Sequence, residues 1–244
     1  SGLCIILKPI MSPQRLRRAS AQLLAATAIV AILGAIWSLQ ISPPDWRQGD
    51  AVRIMYVHVP GAWMSLICWT LMAALGAKLL WRCPPSHRAA TAAAFTTTAA
   101  AGFWFTALTL ATGSIWGRAI WGLWWAWDAR LTAELILLFL YGAVLALLSS
   151  FASEWRGIRA AAILALFGLL HLPVIKFSVE WWISLHQGSS VFAPADSRLP
   201  PDFLAPLAVM TLVYLLFLAT LITLRVETAL IKETTTTPPP EQDK

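Results

Sequence analysis

Long apolar runs separated by shorter polar stretches set the pattern of this chain. Six runs stand out, roughly Ala19–Leu39, Ala62–Leu80, Ala92–Ala111, Leu131–Phe151, Ala160–Phe177 and Phe203–Leu224. Each holds about twenty mainly apolar residues, the length that a helix rising about 1.5 Å per residue needs to cross about 30 Å of hydrocarbon. The pattern predicts an all-α integral membrane protein, a bundle of six transmembrane helices. Six spans return both ends to the same side. Residues 1–18 then form an N-terminal leader, 19–225 the six-span domain, and 226–244 a polar tail. The tail ends in a threonine–proline run without apolar residues and is expected to be disordered. Within the leader, Met11 is a candidate start, followed by Arg15, Arg17 and Arg18. This basic cluster resembles a signal peptide, but Ala19–Leu39 is long enough to span and lacks a convincing cleavage site, so an uncleaved first span is expected.

Composition agrees. The 244 residues are 58% hydrophobic and 12% charged, with a mean hydropathy of +0.68. Soluble domains carry about 25% charged residues, so a soluble enzyme is excluded. The formal charge of +6 does not point to nucleic acid, because the basic residues sit mainly beside the apolar runs, where they set orientation. With the N-terminus inside, twelve Lys and Arg fall on inner segments and helix ends and six on outer ones, which favours N-in and C-in. The longer loops, Gln40–Gly61, the segment around residue 120 and Ser178–Asp202, then lie outside, where function is expected. Cys4, Cys68 and Cys83 have no metal-binding spacing and imply no disulfide framework.

The outer segment 116–130 concentrates the chemistry. It holds five of the fourteen tryptophans: Trp116, Trp121, Trp124, Trp125 and Trp127. A helix here gathers Trp121, Trp124, Trp125 and Asp128 on one face at i, i+3, i+4 and i+7, bracketed by Arg118 and Arg130. An aromatic belt at the membrane boundary is the plain alternative. Five indoles in twelve residues, flanked by guanidinium groups, better suit a large planar ligand with anionic edges.

Topology separates the four histidines. His87 lies in a basic inner loop. His171, inside the fifth span and followed by Leu172-Pro173, is expected to hydrogen-bond a neighbouring helix. His58, at the entrance to the second span, and His186, just beyond the fifth, belong with the tryptophans. Two neutral imidazoles from different outer segments can approach one metal from opposite sides, as axial ligation of a porphyrin iron requires. Without a third His or a Cys at suitable spacing, a tetrahedral zinc site is poorly supported. Arg53, Arg118, Arg130 and Lys176 are candidates to pair with ligand carboxylates. Asp128 has three possible roles: ligand contact, neutralisation of Arg130, or acceptance of an indole N–H. Glu134, one turn into the fourth span, is costly unless paired, and Arg130 at i−4 is its expected partner. No nucleophile–base set, phosphate-binding loop or carboxylate dyad is evident, so no catalysis is expected.

Trp121-Gly-Leu-Trp-Trp-Ala-Trp-Asp-Ala-Arg130 resembles the WWD signature of the haem-handling proteins of cytochrome c biogenesis. Six spans, Met55-Tyr-Val-His-Val-Pro60 and Trp181-Trp-Ile-Ser-Leu-His-Gln187 narrow the resemblance to the haem exporter protein C (CcmC) family, over roughly residues 15–230. The resemblance implies a multi-pass protein of the bacterial inner membrane whose periplasmic face holds haem b between His58 and His186, beside the tryptophan segment. It implies delivery to the haem chaperone CcmE, with CcmD and the ATP-binding-cassette subunits CcmA and CcmB as partners. This chain has no P-loop, so ATP hydrolysis belongs to those partners. Two other readings compete: a b-type cytochrome-like electron carrier, with His171 as a ligand inside the bundle, and a structural scaffold anchored by its tryptophans.

Overall fold

The computed structural model describes residues 13–186 and 199–236. Among them, six helical segments are long and apolar enough to cross a membrane: Arg17–Ile41, Asp50–Trp81, Pro85–Trp121, Ala129–Ser149, Glu154–Trp181 and Pro201–Glu233. They confirm the all-α, six-span expectation. The leader through Ser12, including Met11, lies outside the described residues, as do residues 187–198 and those after Thr236.

Helix α1 (Pro13–Ile36) ends in a wide π turn, Trp37–Ile41. A loop and a 3-10 turn, Asp50–Ile54, lead directly into α2 (Met55–Trp81). This helix starts seven residues before the apolar run of the second span, so His58 sits in its first turn and not in a loop. Helix α3 (Pro85–Trp121) opens on a proline, whose missing N–H forfeits no intrahelical bond there. It stops at Gly122, whose φ of +75° is a left-handed C-cap that favours glycine. Residues 122–128 are therefore non-helical, and the expected tryptophan face at i, i+3, i+4 and i+7 does not form.

Asp128 caps α4 (Ala129–Ser149), accepting the Leu131 N–H at 2.8 Å. The fifth span is divided into α5 (Glu154–Gly168) and α6 (His171–Trp181). Pro173 cannot donate to the Leu169 carbonyl. The chain steps across the break by tighter bonds, Leu169 N to Leu166 O at 3.3 Å, Leu170 N to Phe167 O at 3.1 Å and Leu172 N to Leu169 O at 3.2 Å. Helix α7 runs from Pro201 to Thr236. Residues 226–236 are thus helical, with Val226 and Glu227 buried, where the sequence suggested a disordered tail from 226 onward.

The second helix is central, packed against α3, α5 and α7; α1 lies on α7, and α4 bridges α3, α5 and α6. Hydrocarbon tails are as apolar as the helix faces, so close packing and polar ties hold such a bundle together. Trp69 supplies both. Its ring meets Tyr141 edge-on at 4.7 Å, and its Nε1 donates to Ala165 O at 2.9 Å. Tyr141 Oη donates to Ser65 O at 2.7 Å, and the Thr27 and Thr220 hydroxyls meet at 2.9 Å between α1 and α7.

Candidate haem site

At the end of the bundle where α1 finishes and α7 begins, a cavity of about 320 Å³ opens among α2, α3, α6 and the start of α4. His58 and His186 both line it, with Trp116, Trp121, Trp125 and Arg130.

His58, the fourth residue of α2, places Nδ1 3.0 Å from Thr109 O and 3.2 Å from Thr112 Oγ1 of α3. A carbonyl oxygen only accepts, so the ring proton belongs on Nδ1 and the Nε2 lone pair is free for a metal. The ring reaches α3 because Gly113 has no side chain: a Cβ there would lie 2.9 Å from His58 Cε1.

His186 is held from the other side. Its Nδ1 lies 3.2 Å from Asp128 Oδ2, which also accepts the Ser184 hydroxyl at 2.8 Å and the Leu185 N–H at 3.2 Å. Burial pushes the His186 pKa below its ordinary value despite the carboxylate. The imidazole is therefore neutral, and Nδ1–H donates. Burial alone would raise the Asp128 pKa, but the bonds from Leu131, Ser184 and His186 hold it below the usual carboxylate value. The contact is a hydrogen bond from neutral imidazole to carboxylate, not an ion pair. Among the described residues, neither Nε2 has a hydrogen-bond partner.

Each histidine packs against one tryptophan from the end of α3. Trp116 meets His58 edge-on at 5.6 Å, and Trp121 meets His186 in the same way at 5.0 Å. Trp116 is fixed in turn by donating Nε1 to Gln48 Oε1 at 2.9 Å. Trp125 Nε1 is buried without a partner among the described residues, an open donor at the cavity wall. Arg130 makes no hydrogen bond or ion pair among those residues, yet it bears electrostatically on both imidazoles.

The sequence profile of the family described as "Heme exporter protein C" (CcmC) matches residues 6–239. A "Heme exporter protein C" of Bradyrhizobium diazoefficiens is 46% identical over 201 residues, covering 82% of this chain and 74% of its own length. The Escherichia coli K12 protein of that name is 41% identical, with 84% and 81% covered. A Marchantia polymorpha "Putative cytochrome c biosynthesis ccmC-like mitochondrial protein" is 43% identical, with 66% and 65% covered. This chain belongs to the haem exporter protein C family.

For this member of the family, the structure sorts the expected site residues into two groups. His58, His186, Trp116, Trp121, Trp125 and Arg130 come together at the cavity, and Lys176 joins its lining. The others do other work. Arg53 turns away to donate to Leu39 O and Ser42 O, each at 3.1 Å, and pairs with Asp50 at 3.3 Å, tying the end of α1 to α2. Arg118 donates to Gly122 O, closing the end of α3. Trp124 and Trp127 are 61% and 78% exposed and do not line the cavity. Glu134 does reach it and accepts the Ser65 hydroxyl at 2.8 Å; Arg130 makes no direct ion pair with it among the described residues but bears on it electrostatically. His171 engages Ala133 O through Nε2 at 2.8 Å, as expected of a structural histidine. His87 lies at the opposite end, its Nδ1 3.3 Å from Ser86 Oγ.

Sequence reasoning missed Gln48, Thr109, Gly113 and Ser184. Ser184, two residues before His186, was open to reading as a local support. Nothing in the sequence spacing ties Gly113 to His58; only the packing of α2 on α3 does.

Proposed function

We propose that this protein is a haem-handling membrane subunit of cytochrome c maturation. It binds haem b at the periplasmic end of the bundle, with His58 and His186 as axial ligands, and passes it to the chaperone CcmE. The subunit works with CcmD and with CcmA and CcmB, which supply ATP hydrolysis; this chain performs no catalysis of its own. The inner-membrane orientation is N-in and C-in, so that the cavity faces the periplasm, consistent with the twelve-to-six distribution of basic residues.

One observation carries the reading: two imidazoles on one cavity, each engaged through Nδ1 and, among the described residues, without a hydrogen-bond partner at Nε2. Metal-ligating histidines usually have this arrangement, with the second nitrogen tied to a carbonyl or carboxylate. The rest of the donor set fits haem as well. Indole and aliphatic walls suit the macrocycle, while Arg130 and the open Trp125 N–H suit its propionates. The cavity, about 320 Å³, falls within the range of small-molecule sites, and handover to a chaperone would require an edge of the bound porphyrin to stay exposed.

The test is an absorption spectrum of detergent-purified protein, oxidised and reduced, beside the His58→Ala/His186→Ala variant. A six-coordinate bis-His spectrum in the parent, lost in the variant, is expected. A spectrum unchanged by the double substitution sinks the reading. His171→Ala should keep its haem; loss there would favour the electron-carrier alternative. Transfer is read by incubating the loaded protein with haem-free CcmE and following the spectrum of each after separation.

A further inference from the structure

Two parts of the chain meet on the Asp128 carboxylate. Oδ1 takes the Leu131 N–H and caps α4, while Oδ2 takes Ser184 Oγ, Leu185 N and His186 Nδ1 at 2.8, 3.2 and 3.2 Å. Ser184 Oγ then accepts the His186 backbone N–H at 3.1 Å, completing a closed set. Residues 182–186 lie in neither helix nor strand, so this carboxylate anchors them to a helix packed in the bundle. The Asp128 side chain is only 8% exposed, and Asp128 is absent from the cavity lining. Its route to the site runs through His186.

We infer that Asp128 is a positioning residue that fixes the tautomer and ring orientation of His186, presenting Nε2 to the haem iron without touching the porphyrin. This rests on the haem site proposed above and assigns Asp128 a role different from the ligand contact weighed in the sequence. An ionised carboxylate accepts only, so the Nδ1 it faces must carry the proton. Accepting that hydrogen bond also makes Nε2 a stronger donor to a metal, and losing such a support typically lowers metal affinity about 10- to 100-fold.

Asp128→Asn separates positioning from helix capping. Asparagine caps helices about as well as aspartate but has a single acceptor oxygen. With that oxygen on Leu131, its NH₂ faces His186 and demands the opposite tautomer, protonated at Nε2. Nitrogen NMR of histidine-labelled, haem-free protein should show the Nδ1–H form in the parent and the Nε2–H form in Asp128→Asn. Haem retention should fall about 10- to 100-fold, with a spectrum approaching that of His186→Ala and restored in both variants by added imidazole. Asp128→Ser, which keeps a capping oxygen but is too short to reach His186, should behave likewise and serves if the asparagine variant misfolds. A variant that keeps the Nδ1–H tautomer and the parental retention overturns the inference. A tautomer switch in a protein whose parent shows no bis-His spectrum overturns the haem reading instead, leaving the hold of Asp128 on His186 intact.

Discussion

Gly113 owes its place to His58, a neighbour on another helix that no sequence spacing reveals. The His58 ring is pinned by Thr109 O on one edge, so it cannot retreat from a Cβ built 2.9 Å from its Cε1. Gly113→Ala should therefore strain the α2–α3 contact by about 1–3 kcal/mol, the usual cost of overpacking. We expect a lower melting temperature in detergent and a haem spectrum shifted toward that of His58→Ala; a spectrum like the parent's would mean that the ring has slack. Trp125 poses the opposite case. Its N–H has no partner among the described residues, so Trp125→Phe sacrifices no hydrogen bond of the haem-free protein. Its melting temperature should barely move, whereas haem titration should show roughly tenfold weaker retention, the worth of one charge-assisted hydrogen bond. Equal retention would mean that the indole contributes only its apolar surface.

At the scale of helices and loops, much was legible because the signals are physical and local. Span length is such a signal, set by the run of apolar residues itself; the division of the fifth span was not anticipated, although Pro173 was in view. Pro173 divides that span through the one carbonyl it cannot serve. The tryptophan segment was misread as one helix because its indole spacing is helical, yet Gly122 ends α3 ahead of Trp124 and Trp125. Those residues depart from the wheel, and only Trp121 and Trp125 of the supposed face reach the cavity. Arg53 was misassigned for a related reason. An outer arginine beside a ligand site is indistinguishable in sequence from one that serves the carbonyls at the end of another helix. Here both guanidinium termini serve Leu39 and Ser42. Arg53→Gln should lower stability by about 1–3 kcal/mol through these charged hydrogen bonds, measured by thermal unfolding, with unchanged haem retention at low temperature. Loss of haem at unchanged stability would return Arg53 to the ligand.

At the scale of the whole molecule, the two imidazoles sit on elements of different kinds, and this difference bears on the proposed delivery. His58 belongs to a long helix tied further by Tyr214, whose hydroxyl donates to Val57 O at 3.1 Å. His186 hangs from a non-helical segment through one carboxylate, which makes it the less anchored of the two proposed ligands. Such delivery requires the cavity end to face the compartment of the chaperone, which the distribution of basic residues predicts and labelling can decide. In a variant with its cysteines replaced by serine, Trp46→Cys marks the cavity end and Trp81→Cys the opposite end; these tryptophans are 83% and 70% exposed. A membrane-impermeant maleimide added to cells with permeabilised outer membranes should label position 46 at once and position 81 only after the inner membrane is broken. The reverse pattern would place the cavity in the cytoplasm, where a periplasmic chaperone cannot reach it, and the proposed delivery would have to be abandoned even if both histidines bind haem.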